Sequence, residues 1–135
     1  MAVRSYTGAP IPADPTDVSS AGSAWWFAWT GLQNGDVGQP LQVPHLPDKT
    51  IHFSGTFGAG GTVKMRGSCL ASPNPDVATD WFDLNDPQGN PISKTTSDPK
   101  GEAIEQNPRW IAPIVTAGDG TTNLAATLTA NGGRR

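Results

Sequence analysis

Beyond residue 22 the apolar residues of this chain recur at every second position, and helical spacing never persists for more than a turn. In "TIHFSGTF" Ile51 and Phe53 alternate with His52 and Ser54, and in "TVKMRGS" Val63 and Met65 alternate with Lys64 and Arg66. That period excludes a helical bundle and predicts strands with one face turned to a core. The punctuation agrees, since 16 glycines and 13 prolines supply turns in a chain of 135 residues. "GAGG", Gly58 to Gly61, offers positive-φ residues for a hairpin between Ile51–Phe57 and Val63. "NDPQGN" does the same between "DWFDL" and "NPISKT", with Asp86 as turn cap. A third hairpin is read from "RWIAPIV" through "AGDGTT" to "NLAATLTA", where Leu124, Ala126 and Leu128 share a face. Pro113 lacks a donor, which pushes its strand towards an edge or a bulge. With "AWWFAWTGL" and "LQV" added, the reading is an all-β, antiparallel β-sandwich, jelly-roll-like, with about eight strands in hairpins.

The length suits one domain. Residues 1–22, with Pro10, Pro12 and Pro15, show neither period and read as an extended N-terminal arm ahead of a sandwich domain at 23–135. Such an arm gains order by binding, so it is expected to lie across a neighbouring subunit, with its removal leaving the β-fold intact.

Charge and chemistry narrow the function. A net charge of −3 offers phosphate backbones nothing, and Arg134 with Arg135 does not change that, so no nucleic-acid partner is expected. No stretch has the length or apolarity to enter a membrane, and the N-terminus lacks a signal-peptide core, which predicts a soluble protein. The lone Cys69 has no disulfide partner within the chain and reads as a buried or half-buried small side chain. His45 and His52 lack further ligands at zinc spacing, and Asp80, Asp83 and Asp86 do not follow a calcium-loop pattern, so neither metal nor cofactor is expected. Glu102 and Glu105 are the only glutamates and sit in a polar connector with no apolar wall. No nucleophile elbow, P-loop or dinucleotide fingerprint occurs, and the chain reads as a non-enzyme.

From Ile51 to the C-terminus the order of motifs is similar to a group of small virion structural proteins of tailed bacteriophages, of the capsid decoration, or cement, type. The shared pattern falls on Gly67 and Ser68, on Trp81, Leu84, Asp86 to Asn90, Ile92 and Ser93, then on Arg109, Ile111, Pro113 and Gly118 to Thr122, covering about 85 of the 135 residues. Ala112 departs from it where arginine is common, and "CLASPNPDVATD" is longer than the usual loop before the tryptophan. The resemblance implies a protein made in the cytoplasm of a bacterial host and located on the virion's capsid surface. There it would bind the major capsid protein and stabilise capsomer contacts as a homodimer or homotrimer. A neck or tail position is the alternative; a carbohydrate-binding sandwich is the second.

The residues most open to a binding role are the aromatics Trp25, Trp26, Phe27 and Trp29. On a strand, Trp25, Phe27 and Trp29 share one face and Trp26 the other. Both faces being apolar, the strand is expected to be covered on both, by the monomer's own core or by a subunit or capsid interface; a glycan platform is the remaining possibility. Tyr6, Pro10, Ile11 and Pro12 of the arm complete the candidate interface.

Overall fold

The computed structural model describes residues 2–12, 16 and 24–132. Among them eleven strands run in the order β1 (Val3–Arg4), β2 (Tyr6–Pro10), β3 (Ala24–Leu32), β4 (Val37–Gly38), β5 (Asp48–Thr56), β6 (Thr62–Ser68), β7 (Phe82–Asp83), β8 (Ser93–Lys94), β9 (Gly101–Ile104), β10 (Trp110–Ala117) and β11 (Asn123–Asn131). One sheet has the order β1-β4-β10-β6-β7 with β8 also on β6; the other has the order β2-β3-β11-β5-β9. The alternation read from sequence does what it should. Phe27, Trp29, Ile51, Phe53, Leu124 and Leu128 of one sheet meet Val63, Met65, Ile111 and Val115 of the other in a single buried cluster. The chain is therefore all-β and sandwich-like. Among the described residues no helix is long and apolar enough to cross a membrane.

Two of the three expected hairpins are not hairpins. β5 and β6, joined by the glycine-rich turn, lie in different sheets, and so do β10 and β11. A positive-φ turn reverses a chain equally well within a sheet or from one sheet to the other, so local chemistry does not separate the two. What decides is the crossing itself. Phe57 turns into the core at 5% exposure, and the two crossings fasten to each other. The Thr122 hydroxyl donates to the Phe57 carbonyl (2.7 Å), and the Ala59 N–H donates to Asp119 Oδ2 (2.9 Å). The remaining expected hairpin, at NDPQGN, is real: Asn85 bridges Pro91, Gly89 has φ +87°, and Asp86 Oδ1 accepts from the N–H groups of Gln88 and Asn90.

The expected strand at Leu41–Val43 reduces to one bridge, Leu41 to Ile111, while β1, β2, β4 and β9 were not foreseen. β10 is not an edge strand, because β4 and β6 flank it. Pro113 is tolerated there since it lies opposite Met65, whose N–H and C=O turn away to Ile92 and Leu84. Gly38, whose missing side chain would overlap the Pro113 ring at 2.4 Å, leaves room on the other flank. Cys69 is exposed rather than buried, being the first residue beyond β6, where the chain leaves the sheet.

The arm expected at 1–22 is not a free appendage where it is described. β1 pairs in parallel with β4, and β2 pairs antiparallel with β3, so residues 3–10 belong to both sheets. Asp36 holds the start of β1: its carboxylate accepts from the Ala2 N–H (3.1 Å), the Gln33 N–H (2.9 Å) and Arg4 Nε (2.7 Å). Burial works to raise the pKa of this carboxyl, yet the bonds from Gln33, Arg4 and Ala2 outweigh it and leave the pKa below its ordinary value. Removing residues 2–20 therefore strips a strand from each sheet and uncovers apolar surface. Arm residues 1, 13–15 and 17–22 lie outside the described residues.

Candidate functional site

The aromatic strand divides its duties. Trp29 is fully buried, and Phe27 is 7% exposed. Tyr6, on β2, meets both edge-on, with ring centroids 5.9 Å from Trp29 and 6.0 Å from Phe27. The Trp29 indole N–H donates to the Gln39 carbonyl at 2.9 Å. These three rings belong to the monomer's own core. Trp25, 37% exposed, lies at the end of the same face and stacks on Phe27. Trp26 is half buried on the outer face, followed by half-buried Ala28 and exposed Thr30, so the described residues do not cover that face completely. Pro10 is exposed opposite Trp25, and Ile11 and Pro12 are half buried, with the Ile11 N–H on the Ala24 carbonyl. Of the residues singled out in the sequence, Trp25 and Pro10 thus lie exposed side by side at the end of the pair β2–β3, Trp26 lies on the opposite face of β3, and Phe27, Trp29 and Tyr6 belong to the interior.

A second apolar surface, not foreseen, lies at the β7 edge. Five large hydrophobic side chains stand exposed among the described residues, and three of them, Leu70, Val77 and Phe82, fall in one stretch. The loop 69–81 that carries two of them is pinned from beneath. Arg66, 4% exposed, donates to the Pro75 carbonyl (2.8 Å) and lies over the Trp81 ring (4.6 Å). The indole N–H of Trp81 donates to the Asn74 carbonyl, and that of Trp110 donates to the Leu70 carbonyl. Asp80 accepts from the Asn74 N–H, which closes the loop around its single 3-10 turn, Ala78–Asp80. Burial lowers the pKa of the Arg66 guanidinium, with the nearby Asp76 carboxylate opposing. The result is a shallow hollow lined by Ser68, Cys69, Leu70, Thr79, Asp80, Trp81 and Phe82. The legible signal was the length of the loop, since its apolar residues follow no strand period.

Reactive groups are scattered. Glu102 pairs with Lys94 (3.0 Å), Asp83 with Lys64 (2.8 Å), and Glu105 is exposed. His45 and His52 are exposed, and among the described residues no group of three His, Cys, Asp or Glu side chains could hold a metal. A further hollow, formed by Gly60, Gly61, Thr62, Thr95, Thr96 and Ser97, presents hydroxyls and backbone. Comparison with protein-family models, with curated proteins and with solved structures finds no match for this chain.

Proposed function

We propose that this chain is a virion structural protein of a tailed bacteriophage, a decoration protein that binds the outer surface of the head and stabilises contacts between capsomers. The observation that carries the reading is where the family-like residues meet. Far apart in sequence, they assemble on one sheet: Gly67 and Ser68 lie opposite Ile111 and Trp110, and Phe82, next to Trp81, lies opposite Gly67. The Ile92 N–H bonds Leu84, and Asp86 to Asn90 form the adjoining turn. In its finer form the sandwich is a jelly roll, a reading supported by the two sheet-to-sheet crossings, β5 to β6 and β10 to β11.

As a homodimer or homotrimer, each copy presenting the same apolar surface, the protein gains avidity from several modest contacts with the major capsid protein. The glycan alternative needs an open Trp26 or Trp81 ring. It has less support, because both are half buried and Arg66 lies over Trp81.

The test is addition of purified chain to undecorated shells of the phage that encodes it. Co-sedimentation with the shells and a higher temperature of shell disruption are expected. Shells that sediment without the chain and melt unchanged contradict the proposal.

A further inference from the structure

We infer that the hollow at the β7 edge is the docking face, and that its occupant is an apolar segment of the shell protein flanked by a lysine or arginine; this rests on the virion reading above. Three observations select this surface over the aromatic strand. The first is apolar exposure: Leu70 (48%), Val77 (39%) and Phe82 (44%) stand in solvent within one short stretch, whereas β3 gives most of its aromatic surface to the core. The second is rigidity. Three side-chain donors, Arg66, Trp81 and Trp110, hold the loop by its carbonyls, so little conformational freedom is lost when a partner arrives.

The third is charge. Residues 69–90 contain four aspartates, Asp76, Asp80, Asp83 and Asp86, and neither lysine nor arginine. Arg66 is buried beneath the loop, Lys64 and Asp83 neutralise each other, and exposed Arg109 lies over the Trp110 ring, outside the residues that line the hollow. Asp80 lines the hollow itself, and Asp76 is exposed in the same loop. A second copy applied by two-fold symmetry would set like charges against each other around the apolar centre, whereas a basic residue beside an apolar one complements both features.

Cys69 makes the inference testable without any added probe site, because it lines the hollow, is exposed and is the chain's single cysteine. Its labelling by a maleimide is followed in the free protein and in protein bound to shells. On shells the thiol is expected to react roughly tenfold or more slowly, since reaction requires access to the sulfur. Phe82→Ser is expected to weaken shell binding roughly tenfold or more, as removal of an interface anchor does. Leu70→Ser serves as the second variant, and circular dichroism establishes that each remains folded.

If the wild-type chain binds shells while Cys69 labels at its free rate and both variants bind normally, the docking face is wrong and the virion reading stands. If the wild-type chain does not bind shells at all, the reading beneath it fails and this inference falls with it. Protection of Cys69 in the isolated protein that grows with its concentration, or protection by added oligosaccharide, overturns the inference in favour of self-association or of glycan binding.

Discussion

Trp29→Ala is expected to cost about 3–5 kcal/mol of unfolding free energy, the range for deleting a large buried aromatic. Trp29 is fully buried on β3, between Tyr6 of β2 and Ala126 of β11. Gly38 lies so close beneath it that a side chain there would come within 2.8 Å of the indole. Truncation leaves a cavity and removes the donor that satisfies the Gln39 carbonyl. Trp25→Ala, four residues away on the same face, removes a partly exposed ring and is expected to cost about 1 kcal/mol, the worth of its stack on Phe27. Chemical denaturation of the two variants measures both. Equal costs would mean that the strand does not face the core as described.

The second large effect concerns the paired crossings. Gly58 and Gly60 have nearly the same backbone, φ +72° and +70°, but different surroundings. A Cβ on Gly60 meets nothing within 4 Å, whereas one on Gly58 would lie 2.3 Å from Asp119 Oδ1 and 2.7 Å from the Thr122 hydroxyl. Gly60→Ala should therefore cost only the left-handed strain of about 1 kcal/mol. Gly58→Ala adds displacement of the Asp119 and Thr122 bonds, for a total of about 2–4 kcal/mol.

The same contacts predict an acid limb. Hydrogen bonds from the Thr121 hydroxyl, then from the Ala59 and Thr121 N–H groups, hold the Asp119 carboxyl at about 2 against an ordinary 3.8. A carboxyl depressed by folding stabilises fully above its unfolded value and loses that contribution as pH falls through the folded one. Stability between pH 3.8 and about 2 should thus fall less steeply in Asp119→Asn than in the wild type. Parallel acid limbs in the two proteins would contradict this assignment.

Where the sequence was legible, it was legible through side-chain period. Ile51 with Phe53, Val63 with Met65, and Leu124 with Leu128 announced strands and the faces they bury, and the DPQGN turn formed as its residues required. Sheet membership was not legible, because Gly58 and Asp119 give the same local turn whether the next strand pairs beside the last or packs across from it. β1 and β2 were hidden by their composition: Tyr6 to Pro10 become a strand only because β3 lies alongside, a tertiary pairing that overrides weak local preference.

Lys49 shows the same limit. It follows the inward phase of Ile51 and Phe53 and is 1% exposed, with its amine on the Asn107 side chain, which in turn bonds the Pro44 carbonyl. A lysine at an inward position carries no mark of this in the sequence, since its partner lies 58 residues away. The β7 hollow was obscured for a related reason. Leu70 and Phe82 come together in it through donors on β6 and β10, and only the length of the loop between them set it apart.

The central claim, that this chain decorates a phage head, is tested most directly by its copy number relative to the major shell protein, measured by quantitative mass spectrometry of purified particles. On the order of hundreds of copies per particle, in fixed ratio to the shell protein, is the expected result. A dozen or fewer would place the chain at the neck or tail, and its absence from the particle would contradict the account outright.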